Sequence, residues 1–580
     1  MIILCPMAEI LSIYHERLDD VPLIIGVAKQ MGMIEILNQH LGTHGLQQGL
    51  NNGQLAVGWL AYLLSQADHR KSAVREWAND FSQTLGSLLG QALREVDFSD
   101  DRLGNVAHRL SDDAAWEALE RDLWQKTLTV YDLPVSGVRL DSTTSYGHHR
   151  LRENGLMQRG HSKDHRPDLA QLKLMAAAAE PTGQLLAMDV KAGNAADDPL
   201  YTPLIQRVRQ LVGRRGLLYS GDCKMAALAT RAELVAHQDY YLMPLPMTGD
   251  TAEAFSPWLD MIVEGKQVAT LVWDDRTLLG GGYEFARPQT TTYNDQPVSW
   301  SERVLIVRSL SLAKLQCERL EQRLAKATAA LRALTPPVSR GKRQIRDEAV
   351  LQEAIARIME RHDVKELLQV AWERQETTVT RYQGRGRGSA QRPTTTHQQV
   401  RYVITDVVRN ETAIAAQRQR LGWRAQVTNA PVEQLSLAQA VLHYRGGWVL
   451  ERDFHLVKDL PLGLSPLFVW KDEQIKGLTR LLTLALRVLT LIESQVRNTL
   501  TQSHESMKGL YEGQPNRATN RPSGKRLLKA FARAKITLTG VETHAGVQWH
   551  VTPLSPRLQQ ILHYLRLPLS LYTVTLYNST

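Results

Sequence analysis

Cysteine is scarce in this chain: 580 residues carry only Cys5, Cys223 and Cys317. They are scattered and match no zinc or disulfide spacing, so a disulfide scaffold and a zinc-ribbon or finger site are both excluded. That scarcity fits a reducing compartment, and a cytoplasmic location, close to the nucleoid, is expected. Long apolar runs are also lacking. The longest, Leu478 to Ile492, is broken by Arg480 and Arg487 and reads as a core helix rather than a membrane span. The opening Met1-Ile-Ile-Leu-Cys-Pro6 is too short for a signal peptide and has no basic start. There is no internal repeat and no strong low-complexity tract. Charge of one sign is not extreme either: the net +9 over 580 residues permits a polyanionic partner without demanding one.

What the chain does have is a change of pattern along its length, long enough for more than one domain. Residues 1–130 read as helices, with apolar residues at helical spacing in Val21–Leu37, Leu55–Gln66 and Ala114–Gln125. This N-terminal domain is a candidate for DNA binding. From 131 to 245 the pattern turns to short apolar strands. Gly137–Asp141 is followed by a polar stretch, Ser142–Asp168, with four histidines at 148, 149, 161 and 165. A hairpin comes next, Leu172–Ala176 and Gln184–Val190, around the turn Glu180-Pro-Thr-Gly183. A helix (199–211), a strand (217–222), a helix (226–237) and a strand (240–244) complete the segment. Strand, hairpin, helix, strand, helix, strand is the order of an RNase H-like core, an α/β mixed sheet flanked by helices.

Residues 246–440 interrupt that core and read as a β-rich insertion with a helical arm. The arm is Ser311–Leu334, stopped by Pro336-Pro337, with a second helical piece at Asp347–Glu373. The loop Gly384-Arg-Gly-Arg-Gly388 reads as a basic contact for a phosphate backbone or a solvated loop. Residues 441–495 return to the core as helices. The region 496–580 is basic, and Lys525, Lys529 and Arg533 fall on one helical stripe suited to DNA.

Three carboxylates stand out. Asp141 and Asp222 each end an apolar strand, where a desolvated acid is costly unless paired or metal-bound. A turn or helix-cap role is the plainer alternative for both, more so for Asp222. Glu451 is expected on a helix with Tyr444 seven residues before it, Trp448 three before, His455 four after and Lys458 seven after, all on roughly one face. An acid for metal, a Lys for phosphate and an aromatic for an unstacked base suit the grip on a DNA end. Lys163 and Arg166, in the polar stretch, are further candidates for contact with DNA.

The chain resembles the DDE-class transposases of bacterial insertion sequences, in the branch with a β-rich insertion and a Tyr-x2-Arg-x3-Glu-x6-Lys signature. The likeness lies in Tyr444, Glu451 and Lys458, in Leu140-Asp-Ser-Thr-Thr144, and in Gly160-His-Ser-Lys-Asp-His-Arg-Pro-Asp-Leu169. Gly193-Asn-Ala-Ala-Asp197 and Val427-Thr-Asn429 add to it. By this resemblance Asp141, Asp222 and Glu451 form a catalytic triad holding two Mg²⁺ ions, with Mn²⁺ as a substitute. The implied activity is cleavage at element ends and strand transfer by cut and paste. Its partners would be double-stranded terminal inverted repeats and target DNA, with a homodimer as working unit. The signature's Arg position holds Gly447, and Arg445 lies about 200° away around a helix. That departure keeps open a DNA-binding protein of the same fold with impaired chemistry; a metal-dependent nuclease without strand transfer, which shares the site but needs no end recognition, is a further alternative.

Overall fold

A computed structural model of the chain describes residues 10–43, 45–339, 341–384, 391–459, 461–467, 469–544 and 546–573. The opening segment with Cys5 and most of the Gly384–Gly388 loop lie outside the described residues. The chain is mixed α/β and divides into two compact units, one of 1–243, 289–300 and 443–580, the other of 244–288 and 301–442.

The first unit begins with strand β1 (Ile10–Arg17), where only helices are expected from the sequence, and continues as α1 (Val21–Gln30), α2 (Met33–Leu41), α3 (Asn52–Gln66), α4 (Val74–Asp80), α5 (Ser82–Leu89), α6 (Asp100–Leu110) and α7 (Asp113–Tyr131). Asn51 and Gln54 close a reciprocal capping box at the start of α3. Strands β2 (Val135–Gly147), β3 (Ala170–Pro181) and β4 (Gln184–Ala192) follow, then α8 (Asp198–Val212), β5 (Leu218–Ser220), α9 (Leu228–Ala236) and β6 (Tyr240–Pro244). The sheet order is β4-β3-β2-β5-β6. β2, β3 and β4 pair antiparallel, whereas β5 lies parallel to β2, and β6 parallel to β5. Ser142–Gly147, expected as loop, is strand: each residue pairs with β3, and Ser142, Thr143, Thr144 and Ser145 are buried. Their hydroxyls masked a strand whose Thr pair favours extended backbone.

The second unit holds α10 (Asp250–Val263), β7 (Thr270–Asp274), β8 (Thr277–Tyr293), β9 (Gln296–Ser309), α11 (Leu310–Leu334), α12 (Glu348–Arg361), β10 (Leu368–Tyr382), β11 (Thr394–Arg409), α13 (Glu411–Gln419) and β12 (Trp423–Thr428). Its strands run in the order β12-β9-β8-β7, with β10 and β11 as a separate hairpin. α11 and α12 pack through Leu320, Leu324, Leu331, Leu351 and Ile355. The helix expected over Asp347–Glu373 stops at Arg361. Asp363 turns left-handed at φ 49°, and Leu368 onward pairs with β11.

α14 (Leu437–Arg445), α15 (Trp448–Lys458) and α16 (Asp472–Gln502) come next. The short pair β13 (Met507–Lys508) and β14 (Ala518–Thr519) precedes α17 (Gly524–Ala534), β15 (Thr537–Thr543), β16 (Gly546–Val551) and α18 (Pro556–Tyr564). α16 is the spine of the first unit, buried along most of its length. Arg480 and Arg487 are satisfied inside: Arg487 reaches Glu120 at 2.5 Å, and Arg480 donates to the carbonyls of Leu110, the last residue of α6, and Asp112. Among the described residues no single helix is long and apolar enough to cross a membrane.

Candidate functional site

The parallel pairing of β2 with β5 matches Gly137 with Leu218, Val138 with Tyr219 and Arg139 with Ser220. Asp141 and Asp222 each lie two residues beyond that last pair, so one register brings both acids to the same level of the sheet. They feel each other. Burial is the main force raising the Asp141 carboxyl, and the neighbouring Asp222 charge adds to it, while Lys163 and the Ser142 N–H pull the other way. Lys163 Nζ lies 3.2 Å from Asp141 Oδ1 and donates to the Ser142 carbonyl at 2.6 Å.

Asp222 Oδ1 accepts the Tyr201 hydroxyl of α8 at 2.7 Å and the backbone N–H of Lys224 at 2.9 Å. The second bond is a local turn and not a helix cap, because α9 starts only at Leu228. Burial, followed by the charges of Asp222 and Asp141, holds the Tyr201 phenol well above its ordinary value, so it stays a donor.

The helix carrying Glu451 is not continuous with Tyr444, a correction to the single helix expected over Tyr444–Lys458. α14 ends at Arg445 and α15 begins at Trp448. Between them Gly446 N–H bonds His443 O at 3.0 Å and Gly447 N–H bonds Tyr444 O at 3.2 Å, a tightened turn. A Cβ at Gly447 would stand 3.2 Å from Arg139 Nη1. The space beside Gly447 is thus filled by the guanidinium of Arg139, on the strand that bears Asp141. Arg139 is fixed by Glu180 at 2.6 Å and by the His443 carbonyl at 2.6 Å, and His443 meets Ser220 at 2.8 Å.

Along α15, Trp448, Glu451 and His455 are exposed, and Arg452 lies over the Trp448 ring at 5.6 Å. Lys458 pairs with Asp164 at 2.5 Å, next to Lys163. Arg166 pairs with Asp168 at 2.8 Å and sits over the Tyr146 ring. Lys525, Lys529 and Arg533 line the exposed side of α17, while Leu527, Leu528 and Phe531 are buried.

Asp141 and Asp222 are therefore brought together with oxygen donors alone, a set that fits a hard divalent cation. Glu451 does not join them: among the described residues no group of three His, Cys, Asp or Glu is placed to share a metal ion. Sequence reasoning missed Tyr201, Asp164 and Arg139. Asp164 lies in the run Gly160–Leu169 that carries the likeness but was not singled out, and nothing in the sequence marked Tyr201 or Arg139.

No protein-family model and no curated protein sequence matches the chain. Among solved structures it is similar to a piggyBac transposase synaptic complex with hairpin DNA. The TM-score is 0.33 and the identity 7%, over 89% of this chain and 80% of that one. At that level the site has to be read from its own residues.

Proposed function

We propose that the chain is a DDE-class DNA transposase with an RNase H-like core, cleaving phosphodiesters at the ends of a DNA element and joining them to target DNA. The observation that carries this reading is that Asp141 and Asp222 each lie two residues beyond the last pair of parallel strands β2 and β5, in a sheet ordered β4-β3-β2-β5-β6. Asp141 and Asp222 would hold Mg²⁺, or Mn²⁺ in its place, with Glu451 as the proposed third ligand of a two-ion site. Bound ions there supply an activated water and stabilise charge on the departing oxygen.

The surrounding residues have separate tasks. Tyr201 fixes the Asp222 rotamer, and Lys163 balances the Asp141 charge until a cation competes for it. The Lys458–Asp164 pair ties the end of α15 to the loop after β2. Trp448, Tyr444 and Arg166 would meet the DNA end, and Lys525, Lys529 and Arg533 its backbone. Cut-and-paste movement, terminal inverted repeats as substrate, a homodimer holding two ends and a nucleoid-associated location in the cytoplasm belong to the same proposal.

A second reading has its own support. Lys163 on Asp141 and Glu451 apart from the acid pair suit a DNA-binding protein of this fold with impaired chemistry. A Mg²⁺-dependent assay on DNA carrying the inverted repeats that flank the gene separates the readings. Excision and joining, abolished by Asp141→Asn and Asp222→Asn, is the expected result. Binding without cleavage favours the second reading, cutting at random sites marks a nuclease, and cleavage untouched by Asp222→Asn sinks the site assignment.

A further inference from the structure

Away from the acids, β1, β15 and β16 form a three-stranded antiparallel sheet with β15 in the middle. The register pairs Tyr14 with Gly540 and Gly540 with Trp549, so the three stand in one row on one face. A Cβ at Gly540 would meet the Trp549 ring at 2.6 Å. Its absence lets the rings of the two outer strands close over the middle one, with centroids 6.2 Å apart and planes at 29°. Tyr14 is 48% exposed, and its hydroxyl donates to Glu542 at 3.0 Å, which fixes the ring.

This aromatic shelf forms one side of a cleft of about 1100 Å³. Trp77 of α4 and Phe81, their rings 5.1 Å apart, form another. Glu16 locks sheet to helices by accepting the N–H groups of Gln83 at 3.0 Å and Thr84 at 2.6 Å, at the start of α5. Trp77 Nε1 and Asp19 Oδ1 are buried beneath the cleft wall, and the other oxygen of Asp19 pairs with Arg17 at 2.7 Å, so the cleft's exposed surface is mainly that of its rings.

A ligand that suits the cleft has a flat π face to lie against the Tyr14–Trp549 shelf or the Trp77–Phe81 pair. An unstacked nucleobase offers such a face whatever its sequence. Carboxylates outnumber cations in the lining, through Glu16, Asp19 and Asp80 against Arg17, so phosphates belong outside it. Cations stand there: Arg17 bonds the Ala532 carbonyl of α17 at 3.3 Å, and that helix exposes Lys529 and Arg533, both paired with Glu512, which a phosphate would have to displace.

We propose that this cleft takes an unstacked base from a DNA strand, while the cations of α17 hold the phosphates beside it. The proposal rests on the DNA reading above for its polymer and not on the chemistry of the acids. The test uses the full chain in EDTA, titrated with a short single-stranded oligonucleotide bearing one 2-aminopurine, and with the matching duplex. Stacking quenches 2-aminopurine fluorescence on the single strand. Trp549→Ala weakens that binding about ten- to hundredfold, and Trp549→Phe, which keeps a stacking ring, by less than about tenfold. Lys529→Gln with Arg533→Gln lowers the salt dependence of binding.

Failure to bind or quench the single strand overturns the proposal, as does unchanged affinity in both Trp549→Ala and Tyr14→Ala. A Trp549→Ala variant that alters only the sedimentation of the protein alone also overturns it, assigning the shelf to a second copy of the chain. Because no divalent ion is present, these outcomes stand apart from loss or survival of cleavage in Asp222→Asn.

Discussion

Gly447 and Arg139 show how a glycine at a helix break makes room for a side chain from another element. The guanidinium of Arg139, arriving from β2, fills the space beside Gly447, and a side chain at 447 has to push it aside. Gly447→Arg is expected to cost about 1–3 kcal/mol through overpacking, read as a lowered Tm. At the acid pair, Lys163→Ala leaves Asp141 unopposed. Its destabilisation is expected at neutral pH and shrinks in acid as Asp141 takes up a proton, which a Tm series over pH reports.

Asp20 gives a second pH signature. Burial pushes its carboxyl up to about 6, and the Ser65 hydroxyl at 2.7 Å offsets only part of this. The folded chain then keeps a proton that the unfolded chain gives up near pH 4. The stability this supplies is complete below pH 4 and is lost as pH rises through 6, by about 3 kcal/mol. Asp20→Asn should flatten that slope in urea titrations at pH 4 and 7.

That Asp141 and Asp222 come to one level of the sheet was legible from sequence, though Asp141 lies within β2 rather than at its end. Asp141 and Asp222 each end an apolar run, which marks them without any partner. Tyr201 and Arg139 were not legible, because their roles come from packing between elements far apart in the chain.

At the scale of elements, the sheet and its hairpin could be read from alternation and turn residues. Element ends were harder. Hydroxyl-rich Ser142–Ser145 looked like loop until its pairing with β3 was seen, and the glycine pair at 446–447 split a helix that periodicity alone joined. That split matters for Glu451, since a tightened turn rotates it away from the position a continuous helix would give relative to Tyr444.

The α6–α16 crossing offers a sharper test of packing. A Cβ at Gly477 would fall 1.8 Å from the Ala107 carbonyl oxygen, which is backbone and cannot swing aside. Gly477→Ala is therefore expected to force the helices apart and cost about 3 kcal/mol in chemical denaturation. Glu120→Ala, which removes the carboxylate paired with buried Arg487 and Arg207, should cost about 3–5 kcal/mol by the same measure.

For the whole molecule, a net charge of +9 is modest, and the DNA affinity that the proposed function requires has to come from where the cations stand. If α17 and the rim of the acid pair together meet six or more phosphates, affinity for duplex falls about a thousandfold or more between 50 and 200 mM salt. A flat response in a filter-binding series would contradict that footprint.

The pairing of β1 with β15 has a consequence in time. Ser12 and Glu542, which touch in the finished sheet, are 530 positions apart. At ribosomal speeds of about 5–20 residues per second, β1 waits roughly half a minute to two minutes for its partner strand. A product cut short by a premature stop before β15 would retain Asp141, Asp222 and Glu451 yet have no aromatic shelf.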